Sequence, residues 1–139
     1  MIKKIIFVLQ LLLVVIFISC SEDEPTAPDP IINVPNATLS DIQQKVFTPG
    51  CALAGCHGAT NNQANLLLTE GNSFSNLVDV QSFLYPQFKR VEPSNSINSL
   101  IIKILRGEVA PRMPLDRDPL PQAVIDTIAA WINNGAPNN

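Results

Sequence analysis

The chain has 139 residues, enough for one small domain, with nine basic against twelve acidic residues. No basic run follows the first four positions, which argues against a nucleic-acid-binding protein. Aromatic residues make up only 6% of the chain, so a bound cofactor would help to stabilise a modest core.

The first nineteen residues predict an export signal. Lys3 and Lys4 give it a positive start, and residues 5–18 are almost entirely apolar. This run is shorter than the about 20 residues of a membrane span and fits the core of a signal peptide. Residues Phe17–Cys20 resemble a bacterial lipobox, which implies that Cys20 is lipidated and becomes the mature N-terminus. The alternative is an uncleaved anchor with a free Cys20.

Residues 20–36 predict an acidic, proline-rich linker without ordered structure. The patch Ser21–Glu24 resembles the tag that directs some bacterial lipoproteins to the outer face of the outer membrane. An ordinary solvated linker is the alternative. We therefore expect a lipoprotein anchored to a membrane of the cell envelope, either periplasmic or on the outer-membrane surface.

Residues 37–139 form the predicted folded domain, and its first half predicts two helices. One covers residues 38–48, with Ser40 and Gln43 as a capping box and Pro49 as its end. A second, shorter helix follows Thr69. It would bury three apolar side chains, Phe74, Leu77 and Val78.

The second half predicts two longer helices, over residues 96–106 and 121–134. Gly107 and Gly135 stand where C-terminal caps belong. The inward face of the first would carry Ile97, Leu100, Ile101, Ile104 and Leu105, and that of the second Val124, Ile125, Ile128, Trp131 and Ile132. No segment has a convincing strand pattern, so the prediction is an all-α domain.

Two cysteines and the only histidine lie within Cys51–His57. A cysteine directly followed by histidine, with a second cysteine upstream, is the attachment pattern of a c-type haem. The thiols would add to the porphyrin vinyl groups, and His57 would become the proximal iron ligand. Four residues, Ala52–Gly55, separate the cysteines instead of the usual two, so they must bulge out of any helical turn.

Two other interpretations of this stretch stay open. A Cys51–Cys56 disulfide would close a tight loop and leave His57 as a polar neighbour. Alternatively, thiolates with an imidazole can hold zinc or copper.

Met113 is the only methionine left once Met1 departs with the signal. It lies between Arg112 and Pro114 in a proline-rich loop, away from any apolar helix face where a methionine usually fills core space. A thioether on a stiff loop suits the second axial ligand of a cytochrome c haem, and burial as core filler is the alternative. Because His57 is the sole histidine, one chain cannot form a bis-histidine haem.

The order of these motifs resembles the small monohaem cytochrome c-like domains of exported bacterial proteins. The resemblance runs from Phe47–Cys51 and Cys56–Gly58, through Met113–Pro114, to residues 131–136. It covers about residues 37–136, nearly all of the mature chain.

This resemblance implies a helical domain wrapped around one covalent haem c. Cys51 and Cys56 would hold the haem, and His57 and Met113 would ligate its iron. The implied function is electron transfer to a redox partner protein, by a carrier that is not itself an enzyme but can serve a larger enzyme complex. The rivals are a disulfide-stapled binding or structural lipoprotein without haem, and a copper-handling module of Cys, His and Met.

Overall fold

Regular structure in residues 33–139, which the computed structural model describes, is helical. In chain order the elements are α1 (Leu39–Ile42), a π-helical segment (Gln43–Cys51), a 3-10 turn (Gln63–Asn65), α2 (Ser73–Leu77), α3 (Leu100–Arg106) and α4 (Gln122–Asn133). β-pairing within this range is limited to two isolated bridges, Val78 with Val91 and Gln81 with Lys89. The prediction of a small helical domain without strands is confirmed for these residues.

Several predictions fall outside the described residues. The signal peptide, the lipidation site Cys20 and the acidic linker up to residue 32 are among them. Within residues 33–139, no helix combines the length and the apolar character needed to cross a bilayer.

The first predicted helix begins near the expected place but differs in its cap. The side chain of Thr38 accepts a hydrogen bond from the Asp41 amide at 3.3 Å and so caps α1, whereas a Ser40–Gln43 capping box was predicted. Gln43 is instead buried, and its Nε2 donates to the Leu68 carbonyl at 2.9 Å. Gln43 also accepts a hydrogen bond from the Ser73 hydroxyl, which ties the π-helical segment to α2.

Pro49 does not end this helix as predicted. The chain continues in π-helical turns to Cys51, and the Ala52 amide donates to the Phe47 carbonyl at 2.7 Å. A proline in an α-helical path would set its ring against the carbonyl of the preceding turn, and the wider π-helical turn accommodates it. The helix therefore delivers Cys51 without a break in the backbone.

α3 is shorter than predicted, because it begins at Leu100. Residues 96–99 form turns instead, and Ile97 is 73% exposed, so its predicted place on the inward face is wrong. Gly107, in the left-handed conformation at φ 75°, ends α3 as predicted.

α4 matches its prediction closely, and it packs against α3. All five residues of its predicted inward face are buried, namely Val124, Ile125, Ile128, Trp131 and Ile132. Of the three apolar side chains predicted to be buried at α2, only Leu77 is fully buried, while Phe74 and Val78 pack against the core and stay partly exposed. Complete burial of one such aliphatic or aromatic side chain contributes about 1.5–3 kcal/mol.

The core joins α1, the π-helical segment, α2, α3 and α4. Trp131 is fully buried, and its indole N–H donates to the Pro137 carbonyl at 2.9 Å. The other large apolar side chains with almost no exposure are Ile42, Phe47, Leu77, Val91, Ile102, Ile128 and Ile132. One side of this core opens into a cleft, which the predicted site residues line.

Candidate functional site

One open cleft brings together all four side chains that were assigned to a cofactor, Cys51, Cys56, His57 and Met113. It encloses about 1310 Å³ of empty space, part of which is open solvent. Its walls are mainly apolar and include Val46, Phe47, Leu66, Leu68, Leu77, Leu100, Ile101, Ile104 and Leu105. The tertiary fold thus makes neighbours of two stretches that lie far apart in the sequence.

The four residues between the cysteines form a turn outside the helix. The Leu53 carbonyl accepts hydrogen bonds from the amides of Cys56 and Gly58, each at 3.0 Å. The Cys51 carbonyl accepts from the His57 amide at 3.1 Å. The turn therefore takes up the longer spacing, and both cysteines still line the cleft.

Gly58 is required by this turn. A Cβ at this position would lie 2.8 Å from the carbonyl oxygens of Ala52 and Leu53, closer than real Cβ contacts. A Cβ at Gly50, by contrast, would have no neighbouring atom within 4 Å. Of these two glycines, only Gly58 is therefore held by a close backbone approach.

The two thiols differ in their surroundings. Both are free, and Cys56 is exposed whereas Cys51 is partly buried. Burial raises the pKa of Cys51 to about 11, the nearby Cys56 adds to the rise, and Arg117 opposes it. Because the thiolate is the nucleophilic form, Cys51 is a neutral, weakly reactive thiol at neutral pH.

His57 is anchored through its backbone and partly buried. Its carbonyl accepts a hydrogen bond from the Leu68 amide at 2.8 Å, and its ring Nδ1 is buried without a hydrogen-bond partner. Burial lowers the pKa of His57, the backbone of Leu66 and Gln63 opposes this, and the charge of Arg90 lowers the pKa further. The neutral imidazole that results is the form that ligates metals.

The loop after α3 carries Met113 to the cleft. Its amide donates to the Ile104 carbonyl at 3.2 Å, and the Glu108 amide donates to the Lys103 carbonyl at 2.8 Å. The side chain of Met113 packs against the edge of the core but is only partly buried. Met113 is therefore not a fully buried core residue.

Two cleft residues were missed by sequence reasoning, Arg90 and Tyr85. Arg90 is buried, and Tyr85 donates its hydroxyl hydrogen bond to the Ala110 carbonyl of the loop that carries Met113. Both lie in the irregular segment 78–91, where no periodic pattern marks a residue as inward-facing. The sequence carries no signal for either residue, because polar and apolar side chains are mixed throughout this segment.

The geometry does not support a zinc site at Cys51, Cys56 and His57. No three side chains of His, Cys, Asp or Glu within residues 33–139 converge as a metal site. A structural zinc site takes four such ligands, so the zinc interpretation lacks its ligand set in this range. The copper interpretation adds the thioether of Met113, and it stays a prediction.

Comparisons with protein families, with characterised proteins and with solved structures found no match to this chain.

Proposed function

We propose that this chain is a one-electron carrier of the cytochrome c class, anchored to the cell envelope by a lipid on Cys20. When bound, a haem c would supply the redox chemistry through its iron. Cys51 and Cys56 would hold it covalently, and His57 and Met113 would ligate its iron. The domain would then pass electrons to a redox partner protein and would not itself be an enzyme.

The observation that carries this proposal is the meeting of Cys51, Cys56, His57 and Met113 in a single apolar cleft. Two thiols beside a neutral imidazole, with a thioether in the same cleft, are the donor set that a covalent His/Met haem requires. The Nδ1 of His57 is buried without a hydrogen-bond partner, so this ring nitrogen has no role in the protein's own hydrogen bonding.

The residues of the chain have separate tasks in this proposal. His57 would offer a neutral imidazole, and the apolar wall that α3 contributes to the cleft would keep water from one side of the cofactor. An apolar surrounding and a thioether ligand both favour the reduced iron, so a comparatively high reduction potential is expected.

Both rival functions keep a physical basis. The thiols of Cys51 and Cys56 line the same cleft, so oxidation to a disulfide remains the rival for a protein without haem. A soft copper site would use the same four side chains, but Cys51, Cys56 and His57 would first have to move closer together. These rivals differ from the proposal in colour, because neither contains a porphyrin.

The test is production of the full chain in a bacterial host that has haem-attachment machinery. We expect a red protein that keeps haem-linked peroxidase stain after denaturing electrophoresis and does not release haem into acid acetone. A variant with both cysteines changed, C51S with C56S, is the matched control and should lose the stain. A colourless wild type, or one whose haem is cleanly extracted, would overturn the proposal, and metal analysis would then test copper.

A further inference from the structure

Arg90 is the one charged side chain in residues 33–139 that is buried, with 8% exposure, and it lines the cleft. None of the ion pairs in this part of the chain includes it. Burial of a charge without a counter-ion is unfavourable unless hydrogen bonds compensate it. The hydrogen-bond partners of the Arg90 guanidinium therefore indicate which part of the structure it stabilises.

Those partners are three backbone carbonyls. Nη2 donates to Ala64 at 3.0 Å and to Asn65 at 3.1 Å, and Nη1 donates to Asn76 at 2.8 Å. Ala64 and Asn65 are consecutive residues in the left-handed conformation, with φ of 55° and 53°. This conformation is unfavourable for a residue with a Cβ, so the guanidinium stabilises a strained turn.

The strained turn is attached directly to the predicted haem site. The Gln63 amide, at its start, donates to the Cys56 carbonyl at 2.7 Å. The Leu68 amide, just beyond its end, donates to the His57 carbonyl at 2.8 Å. A change in the turn is therefore transmitted to the backbone of both residues.

Arg90 is itself rigidly held. Its amide donates to the Val80 carbonyl at 2.8 Å, and its carbonyl accepts from the Ile101 amide of α3 at 3.1 Å. Arg90 thus links the turn beside His57, which its guanidinium contacts, to α3, which its backbone contacts.

We propose that Arg90 is a positioning residue of the haem site, which holds the turn at residues 63–65 against His57. Its positive charge, which none of the ion pairs in residues 33–139 neutralises, favours the reduced iron. This inference rests on the proposed function. A fixed positive charge in an apolar cleft disfavours the additional positive charge of the ferric state. Arg90 would act through the turn and through its field, without ligating the iron.

Two substitutions separate these effects. R90Q removes the charge and the forked donor geometry, whereas R90K keeps the charge but cannot donate to three carbonyls in the same way. R106Q is the matched control, because Arg106 lies on α3 with its guanidinium paired to Asp126 at 3.4 Å on the exposed surface.

The first measurement is amide hydrogen exchange of the full chain, followed at Leu66 and Leu68. We expect exchange to be about tenfold faster in both R90Q and R90K than in R106Q, because each loses hydrogen bonds to the turn. Unchanged exchange in either Arg90 variant would overturn the positioning role. This measurement works with or without haem, so it stays informative if wild type attaches none and the proposed function fails.

The second measurement is the reduction potential of the haem-loaded chain. We expect R90Q to shift the ferrous–ferric equilibrium about tenfold toward ferric iron, equal to about 59 mV for a one-electron couple. R90K should stay near wild type, since its charge remains. A potential of R90Q equal to that of R106Q would overturn the electrostatic role. If R90Q does not fold, the test relies on R90K, which keeps the positive charge. A large fall of the reduction potential in R90K would then overturn the electrostatic role.

Discussion

The hydroxyl of Tyr85 donates a hydrogen bond to the backbone carbonyl of Ala110, three residues before Met113. This contact joins the irregular segment 78–91 to the loop after α3, and both line the cleft. A second contact, from the Met113 amide to the Ile104 carbonyl at 3.2 Å, holds the same loop to α3. The position of the thioether therefore depends on Tyr85 as well as on α3.

Replacement of Tyr85 by Phe should loosen the Met113 loop while the ring remains. Loss of one hydrogen bond of about 1 kcal/mol should raise the affinity of the ferric protein for added imidazole about fivefold, because the added ligand competes with Met113. Spectrophotometric titration measures this. T127V, which removes the Thr127 hydroxyl bond to the Ala123 carbonyl on α4, is the control and should leave the affinity unchanged.

Replacement of Met113 by Ala should open the sixth coordination position and lower the reduction potential, while the haem stays attached through the cysteines. Potentiometry and the weak far-red charge-transfer band of sulfur-to-iron ligation measure the change. M113H should also lower the potential but keep a six-coordinate iron. A far-red band that survives in M113A would contradict the assignment of Met113.

Substitution of Gly58 by Ala should distort the turn between the cysteines, because its Cβ would meet two carbonyl oxygens at 2.8 Å. We expect a loss of about 1–3 kcal/mol in unfolding free energy and reduced haem attachment. G50A is the control for stability only, since nothing lies within 4 Å of its Cβ. It is compared in the haem-free chain, because Gly50 lines the cleft. Denaturant unfolding followed by circular dichroism compares the two, and equal stabilities would argue against the close approach at Gly58.

The thiol of Cys51 should alkylate slowly in the folded, haem-free chain. Its pKa of about 11, raised by burial from 9.0, keeps the reactive thiolate scarce until the pH approaches 11. At pH 8 we expect a rate about 100-fold below that of the same residue in urea. Peptide mapping after iodoacetamide treatment measures this. Protection of both cysteines that ends only on reduction would instead support the disulfide rival.

Replacement of Cys20 by Ser should leave a longer, unacylated precursor, because the lipidated cysteine would be the mature N-terminus. Mass spectrometry of the purified protein checks this. An intact Met1 end without acyl chains in the wild type would contradict the lipoprotein prediction.

Local periodicity was sufficient for α4. Its inward residues repeat at helical spacing, and Pro121 and Gly135 bracket it, so the predicted and observed bounds differ by one residue at each end. The same reasoning failed at Ile97, which fits the helical repeat but is 73% exposed. Periodicity identifies residues that can share a face, but it does not fix where the first hydrogen-bonded turn begins.

The π-helical turns around Pro49 had no signal in the sequence. They depend on the hydrogen bond from the Ala52 amide to the Phe47 carbonyl, and on the complete burial of Phe47 in the core. A single proline predicts a helix end when only its own turn is considered. Here the surrounding packing outweighed that local preference.

The sequence by itself determined which side chains are candidates for the site, since it holds one histidine, one methionine beyond Met1 and one closely spaced pair of cysteines. Only the tertiary structure decided that His57 and Met113 line the same cleft, that Arg90 donates to the turn beside His57, and that Tyr85 donates to the loop that carries Met113. The physical reason is that residue chemistry and short spacings are encoded locally. The approach of distant loops depends on how α3 and α4 pack, and on backbone hydrogen bonds that no local pattern specifies.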